Sequence, residues 1–214
     1  LIDDRKNNYN LTTSKIKNIC SRNFGVGSDG FIVLKSSSIA DIKMLYYNSN
    51  GLPSSLCGNG TRCLFSFSLS LGIIEKTAKI ETSEGVFSAS ISDNKLVSLK
   101  MKNIDDIILF EDKAYLNSGS PHHVEMTNDL NKISVKEMGS SIRFSNRYLP
   151  NGTNVNFCSK ISDKKFEIRT YERGVENETL SCGTGATAVA IAVHAMGLTK
   201  QNRIIIQTRG GELI

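Results

Sequence analysis

The chain has 214 residues, 39% of them hydrophobic, and its 26 Lys and Arg against 21 Asp and Glu give a net charge of +5. That balance suits a packed core and argues against disorder, while scattered basic residues and the absence of Trp leave no nucleic-acid footprint. Apolar stretches are too short to span a bilayer. Five cysteines without a C-x-x-C pair point to a reducing, cytoplasmic compartment rather than a disulfide framework or a zinc site.

In chain order, Gly25-Val26-Gly27-Ser28-Asp29-Gly30 matches G-x-G-x-x-G in form. A dinucleotide site needs a helix after it, and Phe31 to Leu34 is strand-like, so a glycine-rich turn is the better reading. Residues 31–35 and 41–47 read as strands, and Asn48-Ser49-Asn50-Gly51 closes the second. Cys57-Gly58-Asn59-Gly60 then feeds residues 61–71, apolar on nearly all sides, which read as a buried helix stopped by Gly72. Segments 78–82, 86–92 and 95–101 read as strands, with Ser92-Asp93-Asn94-Lys95 as a hairpin turn. The second half repeats the order. Lys165 to Tyr171 alternates as a strand, Glu172-Arg173-Gly174 turns, and Cys182-Gly183-Thr184-Gly185 feeds a helix of small and apolar residues over 184–196. Residues 203–208 return to strand. Two lobes are expected, 1–104 and 105–214, each with a curled sheet wrapped around a central helix that has no polar face.

The two Cys-Gly-X-Gly phrases carry the chemistry. A glycine-rich loop entering a helix presents unpaired N–H groups and the positive end of the helix dipole, which favour a thiolate. Two such thiols, Cys57 and Cys182, suit removal of a proton from one face of a carbon and its return to the other. Cys20 and Cys158 read as buried small hydrophobes and Cys63 as core of the first helix. His122 and His123 fall in a predicted loop, with at most one expected in a site, and His194 reads as packed or end-of-helix. Glu172-Arg173, just ahead of the second phrase, is a surface ion pair or a carboxylate-recognition element. Asn48 and Asn154 read from pattern alone as ordinary turn residues.

Taken together, these stretches resemble a known family. Arg22 to Gly30, Tyr47-Asn48-Ser49-Asn50-Gly51, Cys57 to Cys63, Gly119-Ser120-Pro121-His122, Gly152 to Phe157 and Tyr171-Glu172-Arg173-Gly174 with Cys182 to Gly185 occur in the order seen in diaminopimelate epimerases. The cysteine phrases alone also fit proline racemases and hydroxyproline epimerases, but Asn59 and Glu172-Arg173-Gly174 favour the diaminopimelate branch. The resemblance implies an α+β fold of two pseudo-symmetric lobes, each a curled, mainly antiparallel sheet around a central helix, with the active site in the cleft between them. It implies a reaction without cofactor or metal that interconverts LL- and meso-diaminopimelate, on the route to lysine and peptidoglycan. Cys57 and Cys182 would be base and acid, with His122 and Glu172 assisting. Asn48, Asn154 and Arg173 would hold the far end of the substrate, and the loops at Gly58-Asn59 and Gly183-Thr184 its reacting carboxylate.

The partner is then a small amino acid, with no nucleic acid or membrane, and a homodimer is left open. Ser120 and Gly30 depart from the family pattern of Asn and Gln. The family's opening strand is expected ahead of Leu1 and its closing segment beyond Ile214, which keeps open the reading of an inactive piece of the fold. A thiol hydrolase using one cysteine with His122 is a different reaction class, and a non-catalytic binding module is a third reading. The hydrolase leaves the second cysteine phrase unexplained, and a binding module would tolerate loss of either cysteine, whereas both are present.

Overall fold

The computed structural model describes all 214 residues, Leu1–Ile214, and the chain divides into two units, Leu1–Lys102 and Asn103–Ile214. The first runs β1 (Ile2–Asp3), α1 (Thr13–Cys20), β2 (Gly30–Lys35), β3 (Ile42–Asn48), α2 (Gly58–Ser70), β4 (Thr77–Thr82), β5 (Gly85–Ile91) and β6 (Val97–Leu99). Its sheet has six strands in sequence order. The second unit runs β7 (Ile107–Phe110), β8 (Lys113–Asn117), β9 (Pro121–Met126), α3 (Val135–Arg143), β10 (Asn154–Lys160), β11 (Lys165–Glu172), β12 (Asn177–Thr179), α4 (Gly183–Ala195), β13 (Ile205–Thr208) and β14 (Gly211–Leu213). Its sheet follows the order β14-β13-β11-β10-β9-β8-β7, with β12 paired to β11.

Both sheets are mixed, and antiparallel pairings outnumber parallel ones, eight to four; the parallel ones follow from the connections. β1 and β2, β3 and β4, β9 and β10, and β11 and β13 are the parallel pairs. A parallel pair needs a crossover rather than a tight turn. Each of the four carries one helix, α1 to α4 in turn. The series β1-α1-β2-β3-α2-β4-β5 therefore recurs in strand sense as β9-α3-β10-β11-α4-β13-β14.

The recurrence extends to single residues. In the antiparallel pair β2/β3, Gly30 faces Asn48 and Ile32 faces Tyr46. In β10/β11, Val155 faces Tyr171 and Asn156 faces Thr170, which puts Asn154 level with Glu172. Hence Asn48 and Glu172 end equivalent strands, and Ile32 and Asn156 occupy equivalent places.

β2 and β10 are buried on both faces, because each lies under two helices. Phe31 and Val33 pack with Ile16 and Cys20 of α1, while Ile32 and Leu34 pack with Leu64 and Phe65 of α2. Likewise Val155 and Phe157 pack with Val135 of α3, and Cys158 with Ala186, Val189 and Val193 of α4. Consecutive strand residues point to opposite faces, so a doubly covered strand is apolar throughout rather than alternating.

The expected helices are present, and both begin earlier than the apolar runs suggest: α2 at Gly58 and α4 at Gly183. Each stops at a left-handed glycine, Gly72 (φ 68°) and Gly197 (φ 72°). α2 is not buried all round. Cys63, expected in the core, is exposed together with Ser66 and Ser70, so one face of the helix meets solvent. The expected strand 95–101 shortens to β6, because Lys95 takes φ 60° in the hairpin turn; the expected strand 203–208 begins only at Ile205. His194 is exposed in the last turn of α4, as an end-of-helix residue. No helix is long and apolar enough to cross a membrane.

The two faces of α2 give a direct test. Phe65 is fully buried, so Phe65→Ala should destabilise the chain by about 3–5 kcal/mol. Cys63→Ser, on the exposed face of the same helix, should leave the chemical-denaturation midpoint nearly unchanged. Equal losses would mean that the solvent face has been assigned wrongly.

Candidate functional site

Each cysteine phrase forms the N-cap of its helix. Cys57 has φ −106° and ψ 103°, outside helical values, and its sulfur accepts the N–H of Gly60 at 3.3 Å. Cys182 has φ −116° and ψ 112°, and its sulfur accepts the N–H of Gly185 at 3.4 Å. Ordinary N-caps are oxygen side chains that satisfy one of the first-turn donors; here a sulfur does so twice. The glycine three residues on is required by space. A Cβ on Gly60 would lie 2.7 Å from Ile32 Cδ1, and one on Gly185 would lie 2.5 Å from Asn156 Oδ1. The X residue of each phrase is also placed by local contacts: Asn59 accepts from the Arg62 guanidinium, and Thr184 is buried.

Around Cys182 the polar groups form one buried chain. Thr184 Oγ1 lies 3.4 Å from Cys182 Sγ and 2.9 Å from His122 Nε2. His122 Nδ1 lies 3.0 Å from Asn156 Nδ2, which also donates to the His123 carbonyl at 2.9 Å. Thr170 donates to Asn156 Oδ1 at 3.0 Å, and Ser118 donates to the Thr184 carbonyl at 2.7 Å. His122, Asn156 and Thr170 are all buried. Burial, with the charge of Arg173 adding to it, pushes the His122 ring down from 6.5 to about 3.

His122 and His123 lie in β9, not in the loop expected for them, and their side chains leave opposite faces of the strand. His123 meets the Tyr148 hydroxyl at 2.7 Å and Glu125 at 3.2 Å, and burial lowers its pKa. The Tyr148 hydroxyl is pushed up to about 12, again by burial. These side chains form a packing cluster with Tyr115, whose ring stacks on Tyr148 at 5.2 Å.

Glu172 and Arg173 sit where β11 turns towards β12, a strand that the sequence pattern did not reveal. Asn154 holds the turn: its Oδ1 accepts the Arg173 N–H at 2.8 Å, and its Nδ2 donates to Ser120 Oγ and to the Pro121 carbonyl, both at 2.8 Å. Glu176 holds it from the other side, accepting from Gly174 N–H at 2.9 Å, Arg143 Nη2 at 3.1 Å and the Tyr171 hydroxyl at 3.1 Å. Asn48 closes the equivalent turn of the first unit, where its carbonyl accepts the Gly51 N–H at 2.9 Å.

The two departures from the family pattern have local explanations. Ser120 supplies the acceptor for Asn154. Gly30 leaves room for the Tyr46 ring, which would lie 2.6 Å from any Cβ there.

The second unit thus brings Cys182, Thr184, His122 and the Glu172-Arg173 turn onto neighbouring strands and one helix start. The first unit brings Asn48 to a strand end and Cys57, Gly58 and Asn59 to another helix start. Sequence reasoning missed Asn156, Thr170 and Glu176. A signal existed for the first: an amide at an inward position of a strand otherwise apolar from Val155 to Cys158.

Solved structures identify the class of fold. The Bacillus anthracis phenazine biosynthesis protein of the PhzF family superposes with a TM-score of 0.72 at 18% identity, covering 98% of this chain and 81% of its own. A probable proline racemase from Agrobacterium radiobacter K84 gives 0.71 at 17% identity, covering 92% of this chain and 70% of its own. At such identities the likeness is one of fold alone: an α+β fold of two mixed sheets. Sequence narrows it further. A family model described as Diaminopimelate epimerase matches residues 1–104 and 114–214. The diaminopimelate epimerase of Flavobacterium psychrophilum is 45% identical over 214 residues, all of this chain and 84% of that protein. That of Aquifex aeolicus is 37% identical over 210 residues, 93% of this chain and 75% of that protein. The chain belongs to the diaminopimelate epimerase family.

Burial of His122 has a consequence for acid stability. Above about pH 6.5 the ring is neutral whether the chain is folded or not; below it the unfolded chain takes up a proton that the folded chain refuses until about pH 3. Its contribution is therefore complete above about 6.5 and is lost as the pH falls towards 3. The denaturation midpoint of the wild type should fall more steeply across that window than that of His122→Gln. Parallel curves would show that the ring is not held neutral.

Proposed function

We propose that this chain inverts configuration at one α-carbon of diaminopimelate, interconverting the LL and meso forms, with Cys57 and Cys182 as the two acid–base thiols. The observation that carries the reading is the duplicated sulfur cap, with N–H to sulfur distances of 3.3 and 3.4 Å on two helices in equivalent places. One thiolate takes the α-proton from one face while the other thiol delivers a proton to the opposite face. The mechanism requires each unit to present its capped helix to the same substrate, as two pseudo-symmetric lobes of one enzyme would.

Proton removal leaves charge on the α-carboxylate, which needs donors rather than a base. The first-turn N–H groups at Gly58-Asn59 and Gly183-Thr184 supply them, and in a water-excluded site such fixed donors stabilise developing charge strongly. The chemistry in this reading draws on no cofactor or metal. Glu172 and Asn48 end equivalent strands, and Arg173 gives a planar cation for the distal carboxylate. Both amide hydrogens of Asn154 are engaged by the protein, so it serves the far end by fixing the main chain of Arg173. A reducing, cytoplasmic setting suits two working thiols.

The test is α-hydrogen exchange in D₂O with LL-diaminopimelate. Exchange together with formation of the meso isomer supports the reading; turnover of proline or hydroxyproline instead would overturn the substrate assignment. Cys57→Ser and Cys182→Ser should each nearly abolish epimerisation, because a hydroxyl is far less ionised than a thiol. Each should still eliminate a leaving group from a halogenated analogue, and of a different stereoisomer. A single mutant with normal epimerisation would leave only one thiol catalytic. Arg173→Ala should lower kcat/KM for diaminopimelate by at least about tenfold, the scale of a lost charged hydrogen bond, with little change in stability.

A further inference from the structure

The direction of the buried chain under α4 is fixed by one group that can only accept. That group is the carbonyl of His123, 2.9 Å from Asn156 Nδ2. A backbone oxygen has no proton to give, so the amide nitrogen of Asn156 must face it, and the amide oxygen then faces the donating Thr170 hydroxyl at 3.0 Å. The second hydrogen on the same nitrogen points at His122 Nδ1, 3.0 Å away. Nδ1 therefore accepts, and the neutral ring carries its proton on Nε2. From there it donates to Thr184 Oγ1 at 2.9 Å. The Thr184 hydroxyl, having accepted on one lone pair, keeps a proton of its own to give, and Cys182 Sγ lies 3.4 Å away.

Packing does not explain this arrangement. The place of Asn156 is that of Ile32 in the first unit: each faces the neighbouring strand two residues before its end and lies directly beneath the cysteine-loop glycine. The frame accepts an apolar residue there. A buried amide is costly unless its polar atoms are paired, and here each has a partner. Burial also keeps the ring from taking a second proton, down to about pH 3.

We propose that Asn156 and Thr184 are positioning residues that lock His122 as a fixed Nε2–H donor and aim a hydroxyl proton at Cys182, holding that sulfur as a charged acceptor. His122 then does not titrate during the reaction; it orients Thr184. The inference rests on the reading of Cys182 as a catalytic thiol and adds the residues that prepare it.

Two readouts on the full chain test it, neither of which needs turnover. Nitrogen NMR of histidine-labelled protein near neutral pH should show His122 with Nδ1 unprotonated and Nε2 protonated, and Asn156→Asp should move the proton to Nδ1. Ultraviolet thiolate absorbance, taken as the difference from Cys182→Ser, should be retained in Thr184→Ser and lost in Thr184→Val. Epimerisation kcat should follow the same split, with a loss of at least about tenfold in Thr184→Val. A protonated Nδ1 in the wild type, or thiolate absorbance in Thr184→Val equal to that in Thr184→Ser, overturns the proposal even if Asn156→Asp fails to fold. The expected spectra without epimerisation in any variant would uphold the chain and sink the proposed function instead.

Discussion

A helix whose first turn is closed by a cysteine sulfur is the constraint on which the rest of both units depends. For Cys57 or Cys182 to reach the third N–H of its helix, the backbone there must pass close over the sheet. The residue above the sheet must then be glycine, as the 2.7 and 2.5 Å approaches at Gly60 and Gly185 show. The helix must in turn sit on a strand that is covered from its other side, because β2 and β10 have no solvent face. α1 and α3 supply that cover. Cap, glycine, buried strand and second helix are thus one requirement stated at four levels, and the recurring order of elements is its consequence.

The parts of this frame that the sequence displays are those where the pattern and the requirement coincide. α2 and α4 are legible because apolar residues, glycine stops and cysteine phrases all mark the same segments. α3 is hidden by Gly139, which reads as a breaker inside Val135–Arg143; the structure needs it, since a Cβ there would lie 2.4 Å from Tyr171 Cβ. α1 offers only Ile16 and Cys20 as buried residues in eight, too thin a stripe to register as a periodic face. β9 opens on Pro121 and carries two adjacent histidines, a composition typical of loops, yet its pairing with β8 and β10 buries both rings. The cysteines, His122 and Arg173 could be named from sequence, whereas the roles of Asn156 and Glu176 depend on partners distant in the chain, at residues 122 and 170 for one and 143 for the other.

Equivalent places filled by different residues show where the two units diverge. Ile32 and Tyr46 lie beneath and beside the first capped helix, where Asn156 and Thr170 lie at the second. The first set is apolar or aromatic and fills volume; the second is polar and directs hydrogen bonds. A duplicated frame supplies matching sulfurs, but its surroundings give them different neighbours. Under the proposed two-thiol mechanism, inversion between two non-identical stereoisomers tolerates such a difference, since neither thiol would meet a mirror image of the other's substrate: the distal end of diaminopimelate keeps its configuration while the reacting carbon changes.

Stability alone would not choose cysteine at either cap. Sulfur is a weak acceptor, and Ser, Thr, Asp and Asn are the residues that helix starts favour. A serine at 57 or 182 would meet the same glycine N–H with a stronger bond and a smaller side chain. The fold thus forgoes a better cap in two places, and both lie at helix starts where the dipole and the remaining first-turn donors lower the cost of negative charge. What cysteine brings to that position, and serine does not, is a proton that leaves near neutral pH. Under the proposed mechanism the poorer cap at two equivalent sites is a chemical choice, made at helix starts whose dipole and free donors favour negative charge.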